Sequence, residues 1–289
     1  MIFKNLKASA VLLFLVASCS LFAQKDFQGK AYYETKTTVD MSSFGGRNMS
    51  EERKKEIAAR MKSALDKTFI LTFNQWEALY EEEEHLEDAS SGGRGMRFAM
   101  MTSSGGDQYK NVKTQALTQK QDLFGKQFLI KDSLQTLDWK LTGETKNIGK
   151  YTCFRAEAVK PKTGIDYRDF RRPPKGEKPK EESERKPEGE KPTVEGITVE
   201  AWYTPQIPVN LGPDVYWGLP GLILEVNVDN TTILCSKLVI NPSEKIEIKA
   251  PKKGKEVTQA EFDEIAKAKM EEMRDMRRGR GGRGGGGRR

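Results

Sequence analysis

The sequence predicts a mainly β protein: a curved antiparallel sheet or open half-barrel with a few peripheral helices. Three observations carry that prediction. Short runs with period-two alternation recur from Gly29 onward, separated by Gly, Asn and Asp turn residues. No interval before residue 160 leaves room for the series of long crossover helices that a parallel α/β fold requires. Only two segments carry helical spacing, and the first has charged flanks that suit the outside of a sheet.

Composition limits what such a fold can be. The 289 residues suffice for one domain or two small ones, and 36% hydrophobic content means that polar segments dilute the folded part. A large multidomain enzyme is excluded. Beyond the first segment no apolar run approaches the roughly 20 residues a membrane-crossing helix needs. The single His, His85, leaves no cluster for zinc or for His-based catalysis.

Residues 1–23 read as a signal peptide. Lys4 and Lys7 precede the apolar stretch Ala8 to Ala17, and small residues stand at Ser20 and Ala23. Cleavage after Ala23 yields an exported chain beginning at Gln24. Val16-Ala17-Ser18-Cys19 also fits a lipobox, which would leave the chain anchored through Cys19. Either route predicts the periplasm, with attachment to the outer membrane in the second. In that oxidising setting Cys153 and Cys235 become a candidate disulfide, both lying in strand-like runs.

Residues 24–250 form the predicted β-rich domain. Gly29 to Thr38 gives the first strand. Ser50 caps a helix to Leu65, with acidic residues in its first turn. Phe69 to Phe73 and Trp76 to Tyr80 form a hairpin closed near Asn74-Gln75. The acidic run Glu81 to Glu84, His85, Glu87 and Asp88 reads as a solvated loop in preference to a metal site with Met96, Met100 and Met101. Tyr109 to Thr114, Thr118 to Leu123, Gln127 to Ile130 and Gln135 to Leu141 continue as short strands, and Ile148 to Val159 as another pair. The segment 161–192, with Pro161, Pro173, Pro174, Pro179, Pro187 and Pro192 among charges, cannot bury enough apolar area to offset its ordering entropy. It is expected to be a disordered hairpin insertion, its flanks adjacent in one sheet.

Val194 to Tyr203 alternates again, with a bulge-like break near Gly196. A stiff loop follows, rich in Pro205, Pro208, Pro213 and Pro220 and in Gly212, Gly218 and Gly221. Trp202, Tyr203, Tyr216, Trp217, Leu219 and Pro220 are its candidate ligand- or partner-binding residues. Two readings of it stay open: the wall of an apolar cleft, or a packed corner that closes the sheet. Leu222 to Val228 and Thr231 to Ile240 form a hairpin across Asp229-Asn230, Ile246 and Ile248 suggest a short edge, and Thr258 with Glu261 makes a capping box for a helix over 258–277.

Gly218-Leu219-Pro220-Gly221-Leu222-Ile223 resembles the signature string of the GLPGLI family of exported Bacteroidetes proteins. Similar segments are Ala201-Trp202-Tyr203-Thr204, Ile207-Pro208, Gly212-Pro213 and Gly149-Lys150-Tyr151-Thr152-Cys153. The resemblance spans Phe27 to about Ile248. It implies an accessory role in the periplasm or at the outer membrane beside TonB-dependent receptors, and no defined chemistry.

The tail from Arg274 holds seven Arg and one Asp, so the positive charge is local. Arg277, Arg278, Arg280, Arg283, Arg288 and Arg289 suit contact with lipid headgroups, lipopolysaccharide phosphates or an acidic protein; residues 278–289 are expected to be disordered, and no nucleic-acid partner is expected. No short catalytic signature occurs, and no catalytic residue, metal or cofactor is assigned. The leading expectation is a noncatalytic periplasmic carrier for a lipid or other hydrophobic ligand, similar in outline to the lipoprotein carrier LolA. The alternatives are an assembly subunit of a TonB-dependent receptor complex, meeting an envelope protein through a sheet edge or the loop, and an enzyme of unknown class.

Overall fold

The computed structural model describes residues 27–38, 50–83, 106–161, 196–244 and 246–281. The expectations for the signal peptide, His85 and its methionine neighbours, the insertion and the last eight residues lie outside these. In chain order the elements are β1 (Gln28–Thr37), α1 (Glu51–Leu65), β2 (Lys67–Asn74), β3 (Glu77–Glu82), β4 (Gln108–Asn111), β5 (Ala116–Leu123), β6 (Lys126–Ser133), β7 (Lys140–Ile148), β8 (Tyr151–Pro161), β9 (Gly196–Thr204), β10 (Leu222–Val228), β11 (Thr231–Ile240), β12 (Lys255–Val257) and α2 (Gln259–Gly281).

All the strands join one open sheet in the order β12-β6-β5-β4-β3-β2-β1-β11-β10-β9-β8-β7. Two antiparallel meanders, β1 to β6 and β7 to β11, are fused where β1 pairs with β11. Only β12 runs parallel to its neighbour, β6. Ten inter-strand steps separate β6 from β7, about 48 Å in a flat sheet at roughly 4.8 Å each. Yet the chain passes from Ser133 to Lys140 in seven residue steps, which reach at most about 25 Å. The sheet must therefore curl, with its two ends drawn together.

Local chemistry explains the elements. Ser50 caps α1, its hydroxyl accepting from the Arg53 amide at 3.4 Å. Asn74 closes the β2–β3 hairpin by accepting from the amides of Trp76 (2.8 Å) and Glu77 (2.7 Å). At the other end of that hairpin, Glu81 and Glu82 still belong to β3, so the acidic run begins within the sheet. Thr258 and Glu261 form the reciprocal capping box of α2, at 2.8 and 3.3 Å. The β10–β11 turn falls at Asp229-Asn230, Asp229 taking a φ of 51°.

Three assignments differ from expectation. Residues 134–139 are the crossover between the sheet's ends rather than a strand, because Leu137 and Trp139 pack onto the main apolar cluster and not into a ladder. The interval Ile148 to Val159, read as a pair of strands, holds only the last residue of β7, a turn at Gly149-Lys150 with Gly149 at a φ of 58°, and the single strand β8 from Tyr151. The short edge near Ile246 and Ile248 is absent, and Lys255–Val257 supplies it instead through parallel pairing with Phe128 to Ile130.

Register fixes which residues share a face. Ala31, Leu71, Tyr80, Gln108, Gln119, Ile130 and Val257 lie in one row across the sheet. The main apolar cluster lies on this inner face, where Tyr33, Phe69, Leu71, Phe73, Tyr80, Val199, Ala201 and Val226 meet the loop at 205–221. A second cluster, Phe128, Ile130 and Val257 against Phe262 and Ala266, seats α2 on the same face at the β6–β12 end.

Candidate functional site

The loop at 205–221 leaves β9 and lies over the inner face before entering β10. Its backbone binds itself into a fixed shape: the amides of Leu222 and Ile223 donate to the carbonyls of Ile207 and Leu211, each at 3.0 Å, and Gly218 donates to Asn210 at 3.1 Å. Gly218 has a φ of 92° that suits glycine. A Cβ on Gly221 would stand 2.2 Å from the Thr204 carbonyl oxygen, so only glycine permits that approach.

Distant strands hold the loop down. The Tyr33 hydroxyl, from β1, donates to the Ile223 carbonyl at 2.6 Å. The Trp217 indole donates to Gln135 and the Trp139 indole to Trp217, each at 2.8 Å, which ties the loop to the crossover. From β4, the fully buried Lys110 donates to the carbonyl of Gly212 at 2.6 Å and to that of Asp214. Burial pushes the Lys110 amine down to about 7, the Asp214 carboxylate opposing this only in part. Burial also raises the hydroxyls of Tyr33, Tyr80 and Tyr216 above their ordinary range.

Of the six predicted contact residues, Trp202, Tyr203, Tyr216, Trp217 and Leu219 are buried, and Pro220 is exposed. Tyr203, Tyr216 and Leu219 stand among the buried residues of the main cluster. Tyr216, Leu219, Ile207, Val209 and Leu211 each stabilise the folded state by roughly 1.5–3 kcal/mol through burial, too much in sum for the loop to serve as a lid.

Register turns Trp202 to the outer side, opposite Ala201 and Tyr203, and although it is buried as part of the main cluster it also joins a polar network there that sequence reasoning missed. Arg155 pairs with Glu144 (2.6 Å), Glu157 (2.5 Å) and Glu200 (2.7 Å). Lys146 pairs with Glu225 at 2.7 Å and stands 4.1 Å from the centre of the Trp202 ring. The Trp202 indole donates to Glu200 at 2.8 Å, and the Asn227 amide bridges Glu200 (3.2 Å) and Glu225 (2.8 Å). Burial opposes the charge of Glu200, but the bond from Trp202 and the nearby Arg155 hold its carboxyl below the usual range. One legible signal existed: Arg155, Glu157, Glu200 and Trp202 alternate with the inward residues of two adjacent strands.

The predicted disulfide is corrected: Cys153 and Cys235 are free thiols. They stand on β8 and β11, with β9 and β10 between them. Each thiol bonds to a backbone carbonyl instead, Cys153 to Tyr151 and Cys235 to Lys237. Burial pushes them up to about 11 and about 12. Arg277, Arg278 and Arg280 continue α2, while Arg283, Arg288 and Arg289 lie outside the described residues. Among the described residues no helix is long and apolar enough to cross a membrane.

The chain is similar, over residues 139–225, to the family Porph_ging, described as a protein of unknown function. This match corrects the GLPGLI resemblance: a differently named family covers the mid-chain region in which the Gly218 to Ile223 string lies. The matched segment contains β7, β8, β9, the whole loop and most of the outer-face network. No curated protein matches the chain. Among solved structures, PNGF-II in its C2 crystal form aligns at 13% identity over 83% of this chain and 32% of that one, with a TM-score of 0.46. Its P21 form gives 13%, 83%, 33% and 0.45. This chain therefore spans about a third of the length of those structures.

Proposed function

We propose that the protein is a noncatalytic accessory or assembly component of the periplasm, acting by contact with an outer-membrane receptor or another envelope protein. One observation carries this reading: the apolar side chains a carrier would offer to its ligand are packed by the loop onto the inner face. What remains available for contact is the outer face of β7 to β10, where the more exposed Glu144, Glu157 and Lys146 join Arg155 in a bonded array over the buried Trp202. Such an array meets a partner with little side-chain entropy left to lose. A sheet edge is a poorer contact, because β7 is bulged between Leu141 and Thr145, which interrupts its outward hydrogen-bonding row. The carrier reading, with its LolA-like outline, draws support from α2 lying on the inner face.

Native mass spectrometry of the protein purified gently from its own envelope separates the two. A stoichiometric protein partner and no lipid is the expected result, with partner retention lost in Glu157→Lys/Glu200→Lys. A retained lipid without a protein partner would overturn the accessory reading in favour of the carrier.

A further inference from the structure

Helix α2 outruns its seat on the sheet. Phe262 and Ala266, with Ile265 beside them, pack against Phe128, Ile130 and Val257. Past Ala266, the residues Lys267 to Lys269, Glu271, Glu272 and Asp275 are exposed. The helix nevertheless runs on to Gly281, about 22 Å further at roughly 1.5 Å per residue. Helices in proteins draw most of their stability from covering an amphipathic face. The distal half of α2 has such a face.

The apolar row of α2 does not stop where its seat does. At steps of three and four residues it passes from Phe262 and Ala266 through Met270 and Met273 to Arg277 and Arg280. Met270 and Met273 are half-buried, and Met276, one turn beyond Met273, is 58% exposed. Glu264, Glu271 and Asp275 fall on the opposite row, and Glu272 is taken up by Lys269 at 2.5 Å. From Arg274 the chain holds seven Arg against one Asp. The distal half is therefore a methionine stripe that continues into arginine positions, with carboxylates on the far side.

We propose that this half of α2 lies on an anionic phospholipid surface, with its methionines at the boundary of the acyl chains and its arginines among the phosphates. The mixed row selects that partner. An apolar protein groove would have to bury Arg277 and Arg280 without counter-charges. An acidic protein would answer the arginines and leave the methionines in water. A bilayer surface takes both at once, because the charged heads stay at the phosphates while apolar stems and neighbours enter the layer below. Unbranched Met side chains adapt to such a fluid boundary. None of the outer-face residues of β7 to β10 takes part in this contact.

The test is co-sedimentation with lipid vesicles of a chain beginning at Gln24, which keeps every described residue and removes the apolar leader. Vesicles of phosphatidylglycerol with phosphatidylethanolamine should bind it saturably, at least tenfold more tightly than vesicles of phosphatidylcholine, and roughly 0.5 M salt should release most of it. The combined variant Arg277→Gln/Arg278→Gln/Arg280→Gln should lose about a hundredfold in affinity, at roughly fivefold per cation. Met276→Gln, which keeps the charge, should lose severalfold, and Met276→Leu should restore binding; the seat of the helix is untouched in each, so Tm should stay at the wild-type value. No binding by the wild-type chain, or equal binding to the two vesicle types, would overturn the proposal. So would wild-type affinity in Met276→Gln, which would mean that charge acts alone and that any acidic partner would serve.

Discussion

Each face of the sheet has a cation that organises its neighbours, Lys110 within and Arg155 without, and the two work by opposite means. On the inner face Lys110 is fully buried and bonded to backbone carbonyls. On the outer face Arg155 is half-buried among three carboxylates. Burial drives the first toward neutrality. For the second, desolvation is outweighed by Glu144, Glu200 and Glu157, which hold the guanidinium above its ordinary value. A buried cation hydrogen-bonded to backbone carbonyls makes its region sensitive to pH. One partnered by opposite charges makes its region sensitive to salt.

The contrast can be broken most severely at Lys110. Lys110→Ala removes a buried side chain and leaves two carbonyls without their donor, and should cost about 3–5 kcal/mol in a denaturant unfolding experiment. A loss below about 1 kcal/mol would show that the loop does not depend on this tie. Gly221→Ala should come next, at about 2–4 kcal/mol, because the new Cβ meets backbone that cannot yield.

The pH profile sharpens the comparison. Lys110 has a folded value near 7 against an ordinary 10.5, so between these limits the unfolded chain binds the extra proton and stability rises with pH. The rise should be up to about 1.4 kcal/mol per unit, flattened in Lys110→Met. It should be clearest from pH 7 to 9. Above that the two thiols and the buried tyrosines, whose folded values are raised, ionise first in the unfolded chain and pull stability down. A wild-type profile as flat as the variant's would contradict the burial of a charged amine.

Trp217→Phe removes the bond to Gln135 and should cost about 1–2 kcal/mol. Arg155→Met on the outer face should produce the smallest change, and the difference from wild type should shrink as salt rises. A large, salt-insensitive loss would mean that the two faces are less different than their chemistry suggests.

The local parts of this structure were legible because their signals are local. Asn74 and the Thr258–Glu261 box each name a boundary through bonds to residues within three positions, and Asp229-Asn230 names one as the two residues between paired strands. The loop's stiffness was equally plain in its prolines and glycines, but not the side that its aromatics face. Lys110 was hidden because its partners lie about a hundred residues away. Leu137 and Trp139 alternate as a strand would, and tertiary packing turned that alternation to a crossover. Three residues, Lys255 to Val257, are too few to show a period at all.

The central position of β1 sets an order of events for the chain. A polypeptide made from its N-terminus can zip β1 to β6 as each strand appears, every pairing being with the strand just completed. The other side of β1 must wait for β11, about two hundred residues later. During that interval a ten-residue strand offers an unpaired edge, and closing it carries the delay of a very long-range contact. A nascent half-sheet of this kind calls for protection from pairing with other chains.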